Sequence, residues 1–314
     1  MAPPRAANRR ISWQQVPDRV RDAVEAVLGA SVVEALTQEG GFSPGAAARL
    51  RLANGLSAFV KAIGIDLHPN SVGLYRREAA TMPHLPAGLP VPRLLDVYDD
   101  GNWIALVYEE VNGRHPELPW RLNELQCVAD AITNLGAALQ PSPWREGPGF
   151  VDANGAFLRA WEELAAEPPT EAEPWLRRHL DQLAAQEIDV AELFGGDALL
   201  HNDIRSDNVL LTPEGGVVFL DWGATCNGAQ WLDVVLFALS VNAEGDADAE
   251  MLVRGHPLTR DVAASWIDVV LLAAVATYWR QSRLPEDPLL PGSRAYQGAY
   301  ADATVRWMKR RPPG

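Results

Sequence analysis

The sequence predicts an α+β protein with a small β-rich N-terminal lobe and a mostly helical C-terminal lobe. Two observations carry that reading. Between Val32 and Tyr108, short β-prone runs follow one another across Gly-containing turns, with a single helical stretch among them. From Leu122 onward, apolar residues recur mainly at helical spacing, interrupted by Pro-rich breaks and one short hairpin. A chain of 314 residues has room for each lobe to bury its own core.

In chain order, residues 1–10 (MAPPRAANRR) are basic and lead into no apolar run, so they predict a disordered tail rather than a leader. The first lobe is expected over 11–111. Val16, Val20, Val24 and Val27 share a helix face and Gly29 follows, predicting a leading helix over Val16–Leu28. Strands are expected at Val32–Thr37, Ala46–Ala53 and Leu56–Ala62, the last two joined by Asn54-Gly55, a strong hairpin signal. Asn70 is placed to cap a helix over Ser71–Met82. Arg93–Tyr98 and Asn102–Tyr108 read as two further strands around Asp99-Asp100-Gly101.

The second lobe is expected over 112–314. Helical spacing is found in Leu122–Leu139, Ala156–Ala166, Trp175–Gln186, Trp231–Val241, Asp261–Arg280 and Ala295–Lys309, while Asn242–Glu250 reads as a polar connection. Many of the 11 tryptophans fall in helical stretches, where core packing is the better reading.

Composition excludes several classes. A hydrophobic fraction of 47% with 22% charged residues is that of a soluble globular protein. Two cysteines, Cys127 and Cys226, supply neither a disulfide framework nor a zinc site, so a reducing cytoplasm is the expected setting. The apolar run Trp266–Trp279 carries Asp268 and is too short to span a bilayer. A net charge of −14 repels nucleic acid and anionic membranes; it would attract cationic ligands, or simply keep the chain in solution. Nothing in the composition indicates an obligate protein partner.

The chemistry-bearing stretch is Leu199–Leu211 with Leu220–Gly223. Asp203 and Asn208 stand in an Asp-x-x-x-x-Asn arrangement, and Asp221 follows a hairpin made by Val209–Leu211 and Val217–Leu220 around Thr212–Gly216. Phosphoryl transfer needs a carboxylate to take an acceptor hydroxyl's proton, and oxygen ligands for a magnesium ion. An Asp, an Asn amide and a second Asp are the side chains for that task.

His201-Asn202-Asp203, Asn208, Asp221-Trp222-Gly223 and Trp231-Leu232-Asp233 together resemble the aminoglycoside phosphotransferase family of small-molecule kinases, whose fold is protein-kinase-like and bilobal. The resemblance implies Asp203 as catalytic base, Asn208 and Asp221 as Mg²⁺ ligands, His201 as a structural support and Asp233 as a brace for the catalytic loop. The family usually has Gly where Asn202 stands, a departure that removes no chemistry.

The first lobe would then hold the nucleotide. Gly41, Phe42 and Ser43 lie in the Gly40–Gly45 turn, which is either a loop folded over the phosphates or a plain β-turn; Pro44 has no N–H to offer. Lys61, flanked by apolar residues in a strand, is expected to grip the phosphates and to pair with Glu78, with Glu109 or Glu110 as competitors for that pairing. Backbone groups of Glu109 to Val111 would meet the adenine edge. Arg205 either reaches the γ-phosphate or pairs with Asp207.

The short spacing from Asp221 to Asp233 leaves no room for a peptide-binding activation segment, so a small hydroxylated acceptor is expected, with ATP or GTP as donor. Glu162, Glu163, Glu167 and Asp246 would suit a cationic acceptor, or are solvated helix faces. The alternative is a non-catalytic nucleotide-binding regulatory module of the same fold.

Overall fold

The computed structural model describes residues 10–38, 40–41, 43–166, 174–184, 189–245 and 247–311. Helix α1 (Asp18–Leu28) precedes strands β1 (Val32–Thr37), β2 (Ala46–Leu52) and β3 (Ser57–Gly64). Helix α2 (Pro69–Thr81) follows, and then strands β4 (Leu94–Asp99) and β5 (Trp103–Glu109). The five strands form one antiparallel sheet in the order β1-β2-β3-β5-β4.

Strand alternation sorts the side chains between the two helices. Ala46, Ala48, Leu50, Val60, Ala62, Trp103, Ala105 and Val107 pack with Trp13, Val16, Val20 and Val24 at the α1 side. Ile63, Ile104, Leu106 and Tyr108 belong to a second cluster with Val72 and Tyr75 of α2. Lys61 lies between Val60 and Ala62 in β3, so the period of two sends its side chain toward α2.

One capping expectation is corrected. The cap of α2 is His68, whose ring Nδ1 accepts the Ser71 N–H at 3.1 Å, and not Asn70. Pro69 takes the first helical position, where its fixed φ fits and no N–H is needed, and this moves the cap upstream.

The remainder is mainly helical: α3 (Leu122–Ala138), α4 (Phe150–Ala153), α5 (Gly155–Ala166), α6 (Pro174–Ala184) and α7 (Val190–Phe194). After these come strands β6 (Ala198–Leu200), β7 (Val209–Leu211), β8 (Val217–Phe219) and β9 (Cys226–Gly228). Helices α8 (Leu232–Glu244), α9 (Ala249–Gly255), α10 (Ala264–Gln281) and α11 (Ser293–Arg310) complete the chain. Helix α8 and the middle of α10 are buried on almost every face, so they form the centre of this region. Among the described residues no helix is long and apolar enough to cross a membrane.

The β7–β8 hairpin forms as expected, with Leu210 opposite Val218. The pairing of β6 with β9 was not legible, because three-residue strands carry too little periodicity to register. Helix α9 was not foreseen: it starts at the end of the stretch read as a polar connection and runs beyond it, although Asp248 is its cap and accepts the Met251 N–H at 3.0 Å.

Candidate active site

The candidate catalytic loop runs from His201 to Asn208 between β6 and β7, and Asp233 in the first turn of α8 holds its start. One Asp233 oxygen accepts the His201 N–H at 2.9 Å and the other the Asn202 N–H at 2.7 Å. A buried carboxylate stays charged at such a place only when it is hydrogen-bonded. Burial pushes the Asp233 carboxyl up, and these two N–H donors work against that rise.

His201 is fully buried and its roles follow from its partners. Its Nε2 lies 2.8 Å from the Leu220 carbonyl, which can only accept, and its Nδ1 lies 3.3 Å from the Asp203 N–H, which can only donate. The ring is therefore the neutral Nε2–H tautomer, and burial lowers its pKa. His201 ties the catalytic loop to the end of the hairpin that carries Asp221.

Asn202 adopts φ 64°, a left-handed conformation that favours Gly and then Asn. This explains how Asn replaces Gly here. Its amide nitrogen donates to the Ala224 carbonyl at 3.1 Å and to Asn154 Oδ1 at 3.3 Å.

Asn208 is buried, and its side-chain nitrogen donates to Asp203 twice, to the backbone carbonyl at 2.8 Å and to Oδ2 at 3.0 Å. With the nitrogen so used, Oδ1 is the atom left to meet a cation. The Leu220 N–H donates to the Asn208 carbonyl at 2.8 Å, which brings the next residue, Asp221, to the same place. Asp221 also has a left-handed φ of 65°, and its side chain is half-exposed. An amide oxygen and a carboxylate are the hard-oxygen pair that Mg²⁺ takes from a protein when phosphates and water supply the rest.

Burial pushes the Asp203 carboxyl up to about 6; Arg205 opposes the rise, and Asp221 and Asp207 add to it. Arg205 makes a two-pronged contact with Asp207 at 3.0 and 3.2 Å and lies 3.6 Å from Asp203. The pairing with Asp207 foreseen as one reading of Arg205 is thus present.

Lys61 reaches across from the sheet. Its Nζ lies 2.5 Å from Glu78 and 2.9 Å from Asp221, and 4.8 Å from the centre of the Tyr75 ring. Burial acts to lower its pKa, but the two carboxylates outweigh burial and hold the ammonium above its usual range. Glu78 is 2% exposed and also accepts from the Tyr108 hydroxyl at 2.7 Å. Glu109 and Glu110 are engaged elsewhere, with Arg93 at 3.3 Å and Arg49 at 3.4 Å. Gly223 explains how α2 comes so close: a Cβ there would meet the Leu74 carbonyl oxygen at 2.9 Å.

The glycine turn is partly described. Gly41 has φ 74°, and Arg10 donates to the Gly40 carbonyl at 2.5 and 2.9 Å, so the last residue of the expected tail is held against the turn. Ser43 Oγ accepts from the Tyr75 hydroxyl at 3.1 Å. Phe42 lies outside the described residues. The Glu109 N–H is spent on the Arg93 carbonyl, whereas the Val111 backbone makes no hydrogen bond among the described residues.

Of the four acids expected to favour a cation, Glu163 is exposed and paired with Arg280. Glu167, Asp246 and the Glu162 side chain lie outside the described residues. Tyr75 and Tyr108 escaped sequence reading, though a signal existed: Tyr75 is three residues before Glu78 on α2, and Tyr108 shares the alternation of Ile104 and Leu106.

Comparison with known proteins extends this geometry. The model of the phosphotransferase enzyme family matches residues 59–265. A comparison with curated proteins finds no match. Among solved structures, the chain is similar to a thermostable mutant of aminoglycoside phosphotransferase APH(4)-Ia in ternary complex with ADP and hygromycin B. That match has 18% identity over 92% of this chain and 98% of that one, with a TM-score of 0.56. It is similar also to macrolide 2'-phosphotransferase MphH from Brachybacterium faecium, at 17% identity over 95% of this chain and 100% of that one, TM-score 0.57. Choline kinase LicA from Streptococcus pneumoniae matches at 16% identity over 92% of this chain and 98% of that one, TM-score 0.59. These likenesses describe a shared kinase-like fold, and the family match spans more than half of the sequence with the whole catalytic loop inside it. The chain belongs to the phosphotransferase enzyme family.

Proposed function

We propose that the chain transfers the γ-phosphoryl group of ATP or GTP to a hydroxyl of an aminoglycoside-like, amino-sugar or other small alcohol. The observation that carries this reading is the junction at Asp221. Lys61 binds it from the sheet, Asn208 adjoins it through the Leu220–Asn208 backbone bond, and Asn208 in turn holds Asp203. A candidate base, a pair of hard-oxygen ligands and a candidate phosphate-binding cation are thereby gathered at one place.

In the proposed reaction Asp203 takes the proton from the acceptor hydroxyl while that oxygen bonds to the γ-phosphorus. The bond from phosphorus to the β,γ-bridging oxygen breaks, and the nucleoside diphosphate leaves with the electron pair. Asn208 Oδ1 and Asp221 would hold Mg²⁺, which would supply charge neutralisation to the phosphates. Lys61, kept charged and aimed by Glu78, would bind the α- and β-phosphates. The glycine turn with Gly41 and Ser43 would cover them, and the Val111 backbone would face the adenine edge. Arg205, anchored on Asp207, stands beside Asp203 where it can offset charge on the transferring group. The lobe division is proposed at 111/112.

Proteins of the same fold include an aminoglycoside phosphotransferase, a macrolide 2'-phosphotransferase and a choline kinase, and this supports a small hydroxylated acceptor without choosing among them. The net charge of −14 favours a cationic one. The test is Mg²⁺-dependent release of ADP and GDP across aminoglycosides, amino sugars, macrolides and neutral alcohols, with Asp203→Ala as control. Turnover with one class that vanishes in the variant supports the reading. Wild-type turnover in the variant would remove Asp203 as base, and nucleotide binding with no turnover anywhere would favour a non-catalytic module.

A further inference from the structure

We propose that Glu244 is a positioning residue, which through Ser206 sets the spacing between Asp203 and Asn208. The inference rests on the reading of Asp203 as the base. Helix α8 has an acid at each end, and the catalytic loop is held at both. Asp233 in the first turn binds the N–H groups of His201 and Asn202. Glu244, the last residue of α8, accepts from the Ser206 hydroxyl at 2.7 Å with one oxygen and from the Trp120 indole N–H at 2.9 Å with the other.

Ser206 stands between Asp203 and Asn208 and opens the short turn Ser206–Asn208, in which the Asn208 N–H donates to the Arg205 carbonyl at 3.0 Å. A grip on Ser206 therefore fixes the turn that delivers the Asn208 amide to Asp203. The grip is rigid, because Glu244, Ser206 and Trp120 are each 6% exposed.

Helix stability does not account for this glutamate. A carboxylate at a helix C-terminus opposes the helix dipole, and burying it costs free energy unless donors satisfy it. An apolar residue would cap the core at less cost. What the carboxylate adds is a strong acceptor, whose charge-assisted bonds reach the loop on one side and the segment before α3 on the other.

The test compares Glu244→Ala, Glu244→Gln, Ser206→Ala, Arg311→Ala and Asp203→Asn in the full chain. Each is measured by ADP release from Mg²⁺-ATP with water as acceptor, by amide hydrogen exchange over 203–209 and by thermal melting. Glu244→Ala is expected to lower kcat by about 10²-fold, the cost of a displacement of ~1 Å at a reacting group, with the KM for ATP within about twofold. Exchange over 203–209 should accelerate, and this reading needs no acceptor. Ser206→Ala should reproduce both effects, and the double variant should be no worse than either single, as for two residues acting through one contact. Glu244→Gln should restore most of kcat, since its amide can accept from Trp120 and donate to Ser206.

Arg311 pairs with Glu250 and Asp268 in the same helical region, and its removal should lower the melting temperature and leave kcat and loop exchange unchanged. The proposal is overturned if Glu244→Ala behaves like Arg311→Ala while Asp203→Asn is inactive. An active Asp203→Asn would instead overturn the assignment of the base.

Discussion

Lys61 and Asp221 lie 2.9 Å apart, and this ion pair joins the N-terminal sheet to the loop that follows the catalytic hairpin. Glu78 shares the same ammonium at 2.5 Å and is buried, so Lys61 neutralises an acid that has no access to water. Stability and the proposed nucleotide binding therefore meet in one side chain. Lys61→Met should lower the unfolding free energy by about 3 kcal/mol, because it strands a buried carboxylate. It should also raise the KM for nucleotide by roughly 10-fold or more through loss of the phosphate contact. Urea unfolding and nucleotide titration separate the two effects, and a variant with wild-type nucleotide affinity would exclude Lys61 from phosphate binding.

Asp203 and Asp221 should fail differently. Asp203→Asn keeps shape and removes proton acceptance, so kcat should fall by about 10²- to 10⁴-fold with nucleotide affinity within about twofold. Asp221→Ala should cost affinity for the Mg²⁺-nucleotide as well. Calorimetric titration with Mg²⁺-ATP beside steady-state rates reads both quantities.

The pH dependence follows from burial of Asp203, the proposed base. The Asp203 carboxyl, raised to about 6, is protonated below that pH and cannot accept a proton there. The kcat/KM of the wild-type protein should therefore fall as pH drops through about 6, with a slope approaching one in the logarithm. A flat profile down to pH 5 would show that another group takes the proton.

The left-handed Asn202 yields an ordering of stabilities. Asn202→Ala keeps the strained φ and loses the bonds to Ala224 and Asn154, so it should destabilise by about 1–2 kcal/mol. Asn202→Gly relieves the strain that Ala retains and should be the more stable of the two. Thermal melts of both variants check the order.

Arg10 and the glycine turn supply a further measurement. Gly41→Ala would place a Cβ 2.6 Å from the Arg10 guanidinium at a backbone conformation that side chains rarely adopt. Both Gly41→Ala and Arg10→Ala should weaken nucleotide binding, on the order of several-fold, while kcat at saturating nucleotide changes less. Equal affinity in all three proteins would mean that the turn does not cover the phosphates.

Much of the architecture was legible because its signals are local. The Asn54-Gly55 hairpin and the period of two that points Lys61 toward α2 belong to neighbouring residues. Asp-x-x-x-x-Asn works the same way, since a short loop is enough to let Asn208 turn back onto Asp203. Less was legible where neighbours compete or where the partner is remote. His68 displaced Asn70 as the cap of α2 because Pro69 between them claims the first helical position. The three-residue strands β6 and β9 owe their pairing to the surrounding core rather than to their own sequence.

The sequence by itself determined the fold class, the candidate catalytic loop and the side chains it offers for chemistry, because spacing within a few residues fixes which side chains share a loop or a face. Tertiary structure decided among the partners the sequence offered and added others. Glu78 rather than Glu109 or Glu110 meets Lys61, Tyr75 and Tyr108 complete that cluster, and Glu244 reaches Ser206 from the far end of α8. Those contacts join residues on different elements, and only the packing of helices on the sheet and on one another brings such groups together.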